Sequence, residues 1–108
     1  MRASFLAVAA SSVVVLVSTF AQTKLPLHPE TLARYEAIVS YCEKVDPASA
    51  SQYATVLTNL SQGHSAGEIA GHRTSARYHR ALLEANNTLS NTSTDTGLKG
   101  CSEFLADK

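Results

Sequence analysis

Apolar residues recur along the chain with the period of an α-helix, in blocks separated by short polar interruptions. The first block lies between Pro29 and Val45. Leu32, Tyr35, Ile38, Val39, Cys42 and Val45 fall on one arc there, with Glu36, Ser40 and Glu43 opposite. Asp46-Pro47 reads as the start of a second helix, with Asp46 as N-cap and Pro47 at the first helical position. Tyr53, Val56, Leu57 and Leu60 lie on one side of it, and Gly63 supplies its end. Ser65-Ala66-Gly67-Glu68 has the capping-box pattern and opens a third, longer helix running to about Leu89. A polar turn over 90–95 leads to a last short helix with Leu98, Cys101, Phe104 and Leu105 on one arc. No strand-like alternation of useful length appears after residue 21. The pattern predicts an all-α fold, a small bundle of three or four helices.

The N-terminus follows a different rule. Arg2 precedes an apolar run that includes Val13, Val14, Val15, Leu16 and Val17, and Thr19-Phe20-Ala21 places small residues where a signal peptidase reads. Residues 1–21 are therefore expected to be a signal peptide, 22–28 an exposed leader containing Pro26, and 29–108 the helical domain. Export would make the protein secreted or periplasmic. The alternative is an uncleaved anchor, since 3–21 is nearly long enough to span a bilayer. Ser4, Ser11, Ser12, Ser18 and Thr19 dilute that run, and no basic cluster follows it. Membrane contact is expected only if the signal is retained.

Export changes the meaning of the two cysteines. In an oxidising compartment, Cys42 and Cys101 are expected to pair. Each lies near the middle of an apolar arc, so two helices facing one core would bring the sulfurs together. Closing so long a loop removes chain entropy worth about 4 kcal/mol. Redox-active thiols usually sit close in sequence, as in Cys-x-x-Cys, and this pair does not. A structural staple is the expected role.

Charge removes several function classes. The chain carries nine acidic and nine basic side chains, and Arg2 would leave with the signal. Near-neutrality gives no general attraction to nucleic acid, which is not expected as a partner. Tryptophan is absent and aromatics make up 6% of residues, so an aromatic-lined ligand groove is not suggested. No Gly-x-Ser-x-Gly elbow, Gly-rich phosphate loop or His-Glu-x-x-His occurs. Neither catalysis nor a cofactor is expected.

The densest polar cluster runs from His72 to Arg80. On one continuous helix, Arg73, Arg77 and Arg80 would form a stripe able to grip a carboxylate or an acidic protein surface. The plainer reading is a solvated face with local ion pairs, Glu84 lying one turn beyond Arg80. Glu68, His72 and His79 would share the flank of the same helix, with His64 one turn before Glu68. Imidazoles two turns apart cannot chelate one ion unaided, so a Glu68–His72 hydrogen bond is the plain reading and a pH-sensitive flank a further one. Gly63, Gly67, Gly71 and Ser75 recur every four residues, a row that would let another helix approach closely, within the chain or in a weak homodimer. Asn59-Leu60-Ser61, Asn86-Asn87-Thr88 and Asn91-Thr92-Ser93 match N-glycosylation acceptors, the last in the predicted turn.

The expected function is that of a non-enzymatic exported binding module, monomeric or weakly dimeric, for a protein or small acidic partner. Its candidate surface is Arg73, Arg77 and Arg80. The alternative is a metal-binding or pH-sensing envelope protein using Glu68, His72 and His79. A purely structural role would predict that no single surface change matters.

Overall fold

The computed structural model describes residues 26–106. The expected signal peptide lies outside the described residues, as does most of the leader. Among the described residues the chain is all-helical: α1 (Pro29–Val45), a 3-10 turn (Pro47–Ser49), α2 (Ala50–Ser61), α3 (Ala66–Arg73), α4 (Ala76–Ser90) and α5 (Thr94–Ala106). Among the described residues no strand occurs, and none of their helices is long and apolar enough to cross a membrane.

α1 is the spine of the molecule, and the other four helices pack around it. Its N-terminal half meets α3 and α4 in one cluster built from Leu27, Leu32, Ala33, Ile69, Tyr78 and Ala81. Its C-terminal half meets α2 and α5 in a second, built from Val39, Cys42, Tyr53 and Cys101 with Phe104 and Leu105 against them. Cys42 and Cys101 stand at disulfide distance, their Cα atoms 5.7 Å apart, and join α1 to α5. Removing apolar side chains from water is the main force holding these layers together.

The expected arc of α1 is largely the buried one: Leu32, Val39 and Cys42 are buried, and Tyr35, Ile38 and Val45 half-buried. Ala33 and Ala37 are buried as well; Ala33 packs in one cluster with Tyr78 and Ala81 of α4, and Ala37 lies one turn further along the same side of α1. Small side chains there let α4 lie close, so α1 has two contact faces rather than one. Glu36 is consequently not on a free polar face; it lies at the α1–α4 seam.

Three local expectations are corrected. Asp46 does not cap with its side chain: Oδ2 accepts a 2.9 Å hydrogen bond from the Tyr53 hydroxyl, and a 3-10 turn separates it from α2. The long third helix is two helices, so the described chain has five rather than three or four. Thr74 Oγ1 donates to the Gly71 carbonyl at 2.9 Å and Ser75 Oγ to that of His72 at 2.8 Å, drawing the last carbonyls of α3 into local bonds. Ser75 Oγ then accepts from Tyr78 N at 3.1 Å and restarts the chain as α4. The capping box is half formed: Ser65 Oγ accepts from Glu68 N at 3.0 Å, but the Glu68 carboxylate turns to His64.

Within the described chain the glycine row does not seat another helix. Gly63 ends α2's exit turn at φ 82°, where a side chain would be strained. Gly67 and Gly71 are exposed, and a Cβ on Gly71 would meet nothing within 4 Å. Gly71→Ala is therefore expected to raise stability by about 0.5–1 kcal/mol, read as a higher urea midpoint. A lower midpoint would mean that something packs there. Gly97 is the glycine that packing requires. A Cβ on it would fall into the Tyr41 ring, 2.8 Å from Cζ, so α5 can lie against α1 only without one.

Candidate functional site

Four features gather polar or apolar chemistry. The first is the seam of α1 with α3 and α4. Glu36, at 17% side-chain exposure, accepts from Arg73 Nε at 3.0 Å and from Arg73 Nη2 through one oxygen, and from the Tyr78 hydroxyl through the other. Burial, then the hydrogen bond to Glu36, pushes the Tyr78 hydroxyl up to about 12. Burial and the hydrogen bond to Asp46 likewise raise Tyr53 above the ordinary tyrosine value. A group whose folded pKa is raised contributes stability that is complete below its unfolded pKa and is lost as pH rises through the folded one. The unfolding free energy is therefore expected to fall above about pH 10, by ~2–3 kcal/mol from Tyr78 once it has ionised. Urea midpoints of wild type and Tyr78→Phe at about pH 9 and 11.5 check this, the variant showing the flatter profile.

The arginine stripe assumed one continuous helix, and the break before Ser75 divides it. Arg73 belongs to α3 and is held by Glu36. Arg77 belongs to α4 and reaches Glu30 Oε2 of α1, with Nε at 2.9 Å and Nη2 at 2.8 Å. Glu30 stands in the first turn of α1, where backbone amides and then Arg77 lower its pKa. Two of the three guanidiniums thus tie α3 and α4 to α1. Arg80 is different. It lines a polar hollow of about 210 Å³ with Glu30, Arg34 and Arg77. Arg34 and Arg80 form no ion pair within 4 Å among the described residues.

The histidine group is divided by the same break. Glu68 Oε2 lies 2.8 Å from His64 Nδ1 and 3.7 Å from His72 Nε2, so the expected Glu68–His72 hydrogen bond gives way to one with His64. His79 sits on α4, its ring edge-on to Tyr78 with centroids 5.6 Å apart. No group of three metal-ligating side chains converges among the described residues. Asn91 lies exposed in the turn between α4 and α5, while Asn59 and Asn86 are exposed within helices.

The fourth feature is a furrow along the seam of α1 with α4 and α5. One chamber, about 340 Å³, runs past Arg34, Ile38, Ala81, Ala85, Thr88 and Leu89, with Glu84 also in its wall. A second, about 290 Å³, is lined by Tyr41, Phe104, Gly97 and the Cys42–Cys101 pair, and shares Ile38 and Leu89 with the first. The Arg34–Arg80 hollow adjoins the first chamber through Arg34, Ala81 and Glu84. Charge thus gathers at one end, and the lining becomes apolar toward the disulfide. Sequence reasoning missed this site. Ile38 and Leu89 were legible as apolar positions, but the gap between them depends on how α4 and α5 lie across α1.

No family model, curated protein or solved structure matches the chain.

Proposed function

We propose that the protein is an exported, non-enzymatic helical binding module whose contact surface is the furrow between α1 and α4. The observation that carries this reading is the furrow's polarity: two unengaged arginines at one end and an apolar trough leading to the disulfide. The N-terminal pattern of a base, an apolar run and small residues at 19–21 supports a signal peptide, and hence a secreted or periplasmic location. A bundle held by a buried cystine suits that setting, because a small domain buries a modest share of its unfolded surface and gains from a covalent tie. The arginine surface accordingly narrows to Arg80, joined by Arg34, with Arg73 and Arg77 as structural ties.

Native mass spectrometry of the protein exported from its own full-length gene tests this. The expected result is a chain cleaved after Ala21, two hydrogens lighter than its reduced form, and carrying a bound mass that Thr88→Trp loses. An uncleaved reduced chain would overturn export, and bound masses unaffected by Thr88→Trp, or none on either protein, would overturn the furrow.

A second reading is a pH-responsive flank on α3, favoured by the Glu68 carboxylate lying between His64 and His72. It predicts that Glu68→Gln changes the pH dependence of binding, measured between about pH 5 and 8.

A further inference from the structure

The chemistry of the furrow narrows what it can hold. A peptide laid in the trough would bring one donor and one acceptor per residue, and beside Ile38, Ala85, Leu89 and Phe104 the trough offers only the hydroxyls of Tyr41, Thr88, Thr92 and Thr96, too few to meet them. A hydrocarbon chain carries no such groups. The polar end makes a different demand. Glu30 is engaged by Arg77, which leaves Arg34 and Arg80 against the single carboxylate of Glu84. That balance is one positive charge in excess, matched by one anionic head. Along α1, Arg34 and Tyr41 are seven residues apart, about 10 Å at 1.5 Å per residue. Extended chains advance about 1.2 Å per bond, so this run accommodates about eight to ten bonds.

We propose that the furrow binds a single-chain fatty carboxylate of about eight to twelve carbons. The carboxylate lies between Arg34 and Arg80, and the acyl chain follows Ile38, Ala85 and Leu89 toward the disulfide. This assignment rests on the furrow being the contact surface and adds the class of its ligand. Ala81 and Ala85 keep the floor open. Leu89 and Ile38 form the wall against which the chain's apolar surface is withdrawn from water.

The test is titration of the ¹⁵N-labelled, oxidised, exported chain with decanoate, below the concentration at which decanoate self-associates. Amide shifts should concentrate in α1, α4 and α5 around Ile38, Ala85, Leu89 and Gly97, with α2 and α3 unmoved. Arg34→Gln combined with Arg80→Gln should weaken binding roughly tenfold, as expected for loss of a charge-assisted contact. Thr88→Trp, or Ala85→Phe if that variant fails to fold, should abolish the shifts by filling the first chamber. Decyltrimethylammonium should bind at least about tenfold more weakly than decanoate. Equal binding of the cationic chain at the same residues would overturn the carboxylate assignment while leaving the furrow as the contact surface. Decanoate shifts scattered outside the furrow, or none, would overturn the ligand class. A bound mass on the exported protein that Thr88→Trp removes would then uphold the furrow reading with a ligand of another kind.

Discussion

Cys42→Ser is expected to lower the unfolding free energy by about 4 kcal/mol, and reduction of the wild-type chain to do the same. The two half-cystines are 59 residues apart, so the bond closes off α2, α3 and α4 in the unfolded chain. In the loop-entropy description, that constraint removes unfolded conformations and raises the free energy of the unfolded state. Set against roughly 5–10 kcal/mol of net stability for a small domain, the loss removes about half of what holds the fold, and at the low end of that range leaves a substantial unfolded fraction. Both cysteines are also almost fully buried, at 1% and 3% exposure. A mild reductant should therefore act at the rate of opening rather than at the rate of thiol exchange. Urea titrations of oxidised, reduced and Cys42→Ser protein measure the first effect. Coincident midpoints for all three would show that the bond constrains little.

Glu36→Ala is expected to be the most damaging polar-to-alanine change at the seam of α1 with α3 and α4, at about 3 kcal/mol. One carboxylate joins α1 to α3 through Arg73 and to α4 through the Tyr78 hydroxyl. Without it the hydroxyl of Tyr78, a residue 7% exposed, loses its acceptor inside the seam. Arg73, with its side chain half exposed, can return to water and contributes less. The asymmetry is testable. Tyr78→Phe in the Glu36→Ala background should cost little further, because the stranded hydroxyl is removed, while Arg73→Gln alone should cost about 1 kcal/mol or less. Additive losses for Glu36→Ala and Tyr78→Phe would mean that the two side chains do not act as one unit.

Much of the helical architecture was legible in the sequence because apolar side chains at helical spacing mark the buried faces. Leu32, Val39 and Cys42 on α1, Tyr53 and Val56 on α2, and Cys101 on α5 are buried as their periodicity predicts. Position within those arcs was enough to bring the two cysteines together. Alanine carries a weaker signal. Ala33 and Ala37 give α1 its second contact face, and nothing in their hydropathy distinguishes them from exposed helical alanines. Glu36 was misplaced for that reason. The break in the expected third helix was signalled only by the adjacent Thr74 and Ser75, whose hydroxyls can compete for backbone carbonyls but often sit harmlessly in helices. Once the helix was assumed continuous, Arg73 joined Arg77 and Arg80, and His72 joined His79, across a break that places them on two helices. The furrow was not legible at all. It is a space between three helices, and no residue in its wall is unusual by itself.

The break before Ser75 gives the fold a second timescale. α3 buries Ile69 alone among its eight residues, carries two exposed glycines and has its own cap at Ser65. It lies within the covalent loop, yet neither half-cystine is on it. Such a segment can come away, releasing Arg73 from Glu36, and re-form without breaking the cystine. In native-state hydrogen exchange, the amides of α3 should therefore exchange through partial opening, well before those of α1 and α5. The molecule would then behave as a rigid frame carrying one short element that breathes by itself.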